Sequence, residues 1–84
     1  MPRFLDYHAK MPALPPEVVR QVTADIKTGK ADQFGVRQLN AFIGTHGEGW
    51  CYAEAPSADA VCRSHEAKGI PLSKGDVKEV QTLV

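Results

Sequence analysis

The stretch Trp50–Pro71, WCYAEAPSADAVCRSHEAKGIP, allows little beyond a strand feeding directly into a helix. The strand stops at Ala55-Pro56, and Ser57 can cap a helix because its hydroxyl accepts from the free N–H groups of the first turn. Asp59 suits the positive helix end. Ala58, Val61, Cys62 and His65 fall at i, i+3, i+4 and i+7, so they form one stripe. Gly69 can take the left-handed conformation that ends a helix, and Pro71 forbids its resumption. A histidine therefore lies on the helix face that should meet the protein.

The rest of the chain supplies three more strands and one more helix. Arg3–His8 alternates, with Phe4, Asp6 and His8 on one side and Arg3, Leu5 and Tyr7 on the other. Pro12, Pro15 and Pro16 mark a loop into a helix, which the spacing of Val18, Val19, Val22 and Ile26 predicts from Glu17 to about Gln33. Gly29 either permits close packing there or ends the helix early. Phe34-Gly35 forms a turn, and Val36–Ile43 is a strand with Leu39, Ala41 and Ile43 on one face. Gly44–Gly49 is rich in turn residues and predicts a hairpin into Trp50–Glu54. A last strand is expected from Asp76 to about Leu83.

The resulting order, β-α-β-β-α-β, predicts an α+β, ferredoxin-like domain spanning 1–84. Its antiparallel sheet has strand order 4-1-3-2, with both helices on one face. The alternation assigns Phe4, Phe42, Trp50 and Tyr52 to the other, bare face. Large exposed apolar patches are uncommon in monomers, so a homodimer of the dimeric α+β barrel type is expected. At this length only roughly 60–65% of the chain's surface is buried on folding, which also favours self-association.

Charge and cysteine content narrow the function. Ten basic residues balance ten acidic ones, which disfavours nucleic acid and anionic membranes as partners. No run approaches a membrane span. The segment MPRFLDYHAK does not have the pattern of a signal peptide, so a cytoplasmic location with reduced Cys51 and Cys62 is expected.

Asp6-Tyr7-His8 places a carboxylate and an imidazole on one strand face, where they can ligate a metal or act as an oriented base. The predicted topology brings Trp50, Tyr52 and Glu54 alongside them, and Asn40 can join the same hollow; with Phe4 these are the expected pocket-lining residues. Cys51 alternates away from Trp50 and should point under the helices. There it is either a small buried hydrophobe or a thiolate partner of His65. No phosphate loop, nucleophile elbow or HExxH motif is present.

Taken together, Asp6-x-His8, Trp50-Cys51 followed by Glu54-Ala55-Pro56-Ser57, His65-x-x-x-Gly69-x-Pro71 and Glu79-Val80 resemble a family of small bacterial proteins. The family was long described only as a domain of unknown function, and some members are described as nickel-binding. The resemblance spans nearly the whole chain. It implies a ferredoxin-like fold, a dimer and a divalent metal site at the matched positions Asp6, His8, Cys51 and His65. Where relatives associated with metal often carry a histidine between Gly69 and Pro71, this chain has Ile70. The alternative is a small dimeric α+β barrel enzyme, an isomerase or cofactor-free oxygenase, with His8 or His65 as general base and Trp50, Tyr52 and Phe4 lining its pocket.

Overall fold

The computed structural model describes residues 1–83. Its strands are β1 (Arg3–His8), β2 (Arg37–Ile43), β3 (Gly49–Glu54) and β4 (Val77–Val80), and its helices are α1 (Pro16–Thr28) and α2 (Ala58–Ala67). All strand pairs are antiparallel in the order β2-β3-β1-β4, so the ferredoxin-like arrangement holds, with β1 and β3 at the centre.

Local chemistry explains most of the boundaries. Pro16 opens α1 and Glu17 lies in its first turn. The helix ends well before Gln33 because Gly29 turns left-handed (φ 69°) and returns its N–H to Asp25 O. Ser57 caps α2 by accepting from the Ala60 N–H at 3.1 Å, and Gly69, at φ 77°, ends it. Asp32 ties the turn before β2 to α2. Its carboxylate accepts from the Phe34 and Val36 amides at 2.9 and 3.0 Å and from the Ser64 hydroxyl. Burial pushes this carboxyl up, but those hydrogen bonds and nearby Lys68 outweigh it and hold it below its ordinary range.

β1 inverts the expected assignment of faces. Phe4, Asp6 and His8 are buried beneath the helices, while Leu5 and Tyr7 face outward. The pairing of β1 with β3 sets this parity. Phe4 lies opposite Ala53 and Asp6 opposite Cys51, whereas Leu5 meets Tyr52 and Tyr7 meets Trp50. Phe4 therefore does not share a face with Trp50 and Tyr52. Phe42, opposite Trp50, does lie on the outer face. An irregularity between Gln38 and Asn40 shifts the phase of β2, so Gln38 opposes Ala53 and Asn40 opposes Tyr52.

The apolar core is small and sits between the sheet and α2. Phe4, Ala53, Ala55, Val61, Cys62 and Val77 are among its buried members. By contrast, α1 has no fully buried side chain. The layer is tight under α2 and loose under α1.

Candidate metal centre

Three elements converge on one point in that layer. β1 contributes Asp6 and His8, which share a face because they are two residues apart. β3 contributes Cys51, the cross-strand partner of Asp6. α2 contributes His65 from its buried stripe. One ligand atom from each of the four residues lies within 4.8 Å of all the others. Asp6, His8 and His65 are 1%, 5% and 4% exposed, so the cluster is interior.

The hydrogen bonds define which atoms are available. His65 Nδ1 lies 2.8 Å from the Val61 carbonyl oxygen, which can only accept, so Nδ1 carries the hydrogen. In the neutral ring Nε2 then holds a lone pair, and it points at Asp6 Oδ1 from 3.6 Å. His8 Nε2 donates to the same Oδ1 at 2.7 Å, and its ring lies 5.1 Å from that of His65. Among the described residues, Asp6 Oδ2 is buried with no hydrogen-bond partner of good geometry. Beyond the His8 N–H, only the weak Cys51 thiol donor faces this carboxylate. A carboxylate and an imidazole thus present more buried acceptors than strong donors, which is costly unless a cation or proton joins them.

Burial shapes the titration of all three element contributions. It pushes the Asp6 carboxyl up, although the charges of His65 and His8 counter part of the rise. It pushes the His65 imidazole down, opposed by Asp6 and by the Val61 carbonyl. Burial, followed by the neighbouring Asp6 charge, pushes the Cys51 thiol up to about 12. Cys51 is therefore an inert thiol at neutral pH unless a metal displaces its proton.

Two nitrogens, one sulfur and a carboxylate oxygen suit a borderline transition-metal dication and do not suit magnesium or calcium. These four residues could hold such a metal ion.

With this geometry in place, comparisons give one clear likeness. The chain resembles SCO4226 from Streptomyces coelicolor A3(2). The two are 28% identical over 98% of this chain and 99% of that one, with a TM-score of 0.69. No family model and no curated protein matches. The likeness supports the ferredoxin-like fold over its full length.

The expected pocket residues fare differently from the four above. Trp50 borders a cavity beneath α1, though its ring packs on Tyr7 with centroids 5.6 Å apart. Phe4 belongs to the core. Glu54 pairs with Arg37, and the Tyr52 hydroxyl accepts from Arg3 at 3.2 Å. Asn40 is exposed and uses its side-chain oxygen to accept from the Ala41 amide. None of these four lines that cavity or joins the cluster. The hollow expected between Asp6–His8 and the aromatic residues does not form, because the register sends the two sets to opposite faces.

Sequence reasoning also passed over Met11, which lies above the sheet near the cluster. Gly49, opposite His8, leaves room for it; a Cβ there would sit 2.5 Å from Met11 Cγ. The only sequence signal was a glycine ending a turn.

Proposed function

We propose that this chain is a metal-binding protein whose Asp6, His8, Cys51 and His65 hold one divalent transition ion, with nickel as the metal. The surplus of buried acceptors carries the reading: the His65 lone pair faces a carboxylate whose second oxygen has no hydrogen-bond partner of good geometry among the described residues. A dication satisfies both, whereas an apolar core would satisfy neither. Two imidazoles beside a thiolate favour a nitrogen- and sulfur-loving metal, and the family resemblance favours nickel among those. His8 also lines a surface hollow together with Lys10, Ser73 and Asp76, which puts one ligand at the edge of solvent. A thiolate ligand must stay reduced, which agrees with a cytoplasmic protein.

Calorimetric titration with Ni²⁺ tests this. We expect one ion per chain, and a heat that changes with the ionisation enthalpy of the buffer. At pH 7 the His65 imidazole is already neutral, while Cys51 still holds its proton. Binding should then release the Cys51 proton, and affinity should rise with pH near neutrality. No heat and no retained metal after dialysis would end the proposal.

A second reading rests on His65 bordering the cavity beneath α1 with a neutral ring, as a general base for a small organic substrate requires. Failure of metal uptake would leave it standing.

We also propose that a second copy covers the outer sheet face. Leu5, Tyr7 and Phe42 are 37%, 40% and 50% exposed there, a broad apolar surface for so small a chain. Sedimentation should give twice the 9.2 kDa chain mass. Phe42→Asp should yield monomers that still bind metal. A wild-type monomer at micromolar concentration would refute the dimer.

A further inference from the structure

Between α1 and the inner sheet face lies a cavity of about 80 Å³. Its apolar lining includes Met11, Leu14, Val22, Ala41, Trp50 and Ile70. Two members of the metal cluster, Cys51 and His65, form part of the same wall, while Asp6 and His8 do not. The cavity thus reaches the Cys51 and His65 members of the cluster and is distinct from the polar hollow beside His8.

Its size and chemistry specify an occupant. At about 10–15 Å³ for each water-sized position, the space accepts on the order of five to eight non-hydrogen atoms. Apolar walls repel water and favour a small organic body. The charged lining groups, Asp25 and Lys68, have opposite signs, so neither a cation nor an anion is preferred. Met11 lines it, seated on Gly49 and anchored by its N–H to the Gly47 carbonyl at 2.8 Å.

We infer that this cavity is a ligand pocket for a small, neutral, mostly apolar molecule with one nitrogen or sulfur donor, which coordinates the bound metal from the Cys51–His65 side. This rests on the metal-binding reading above. Five-atom heterocycles and short thioethers have the required size and donor. Coordination moves no electrons and breaks no bond; a lone pair of the ligand enters the metal's coordination sphere.

Cobalt(II) makes the test visible, and imidazole is the probe. The protein is first loaded with Co²⁺ and followed by its thiolate-to-cobalt absorption, then titrated with imidazole while the visible d–d bands are recorded. We expect saturable band shifts with the thiolate absorption retained. Ala41→Leu, opposite Cys51 in β2, should leave the cobalt spectrum unchanged without imidazole and weaken imidazole binding at least about tenfold by filling the pocket. Should that variant fail to fold, Val22→Phe fills the same space from α1. Absence of cobalt uptake would overturn the metal reading itself. Cobalt uptake with unmoved d–d bands, loss of cobalt to imidazole, or undiminished imidazole binding by the filled variants would overturn this inference alone.

Discussion

Asp6→Asn should abolish metal binding and at the same time raise the melting temperature of the metal-free protein at pH 7. The change keeps the shape of the side chain and an oxygen that can accept from His8 Nε2. It removes the charge that a metal needs, and affinity should fall by at least about 100-fold. The stability gain follows from the sign of the shift. Burial raises the Asp6 carboxyl above its ordinary 3.8, so the folded chain holds the proton more tightly than the unfolded one. Stability is then lost as pH climbs above 3.8 toward the higher folded value, so the native side chain costs stability at pH 7. A neutral amide escapes it. The gain should appear as a rise of several degrees, since 1 kcal/mol moves the midpoint of a domain this size by about 4–8 °C. Below pH 3.8 the advantage should disappear, because both side chains are then neutral. Thermal melts across pH, alongside nickel titrations, measure both halves. A variant that is less stable at pH 7 would show that the buried charge supports the fold instead of burdening it.

Phe4→Ala should be the most damaging truncation of the core. Phe4 is 5% exposed at the inner face of a central strand and belongs to the same packed cluster as Ala53, Val61 and Val77. Large aromatic truncations cost about 3–5 kcal/mol. An 84-residue domain has roughly 4–13 kcal/mol in total. From about a quarter to all of the stability should go, visible as a large drop in the urea midpoint at unchanged slope. A loss below about 1 kcal/mol would mean that the site can collapse around the missing ring. Truncating the half-exposed Phe42 should leave the fold of one chain nearly unaffected, which separates the inner face from the outer.

The element order, both helix starts and the limits of β1 were legible because each is written in local chemistry. Ser57, Pro16 and Gly69 act through their own backbone and side-chain atoms, whatever surrounds them. Gly29 carried two readings, and the left-handed turn chose the early end. The faces were less legible. Alternation says that Phe4, Asp6 and His8 go together, but not which side of the sheet they take. Leu5 and Tyr7 looked at least as suited to the interior as an acid and an imidazole. The inward side is decided by a long-range pairing, Asp6 against Cys51, which no local pattern encodes. The same pairing turned residues expected on separate layers into one cluster. In β2, one irregularity between Gln38 and Asn40 changed which side chains look inward.

The ring of His65 is tethered by its own helix, through the Val61 carbonyl one turn earlier. Its orientation consequently depends on that helix staying wound. An ion gripped there would act as a rivet between a helix and two strands, adding a bonded link to the packing that already joins them. The reverse follows equally: loosening the last turns of α2 would swing one donor away and release the ion, leaving the sheet intact.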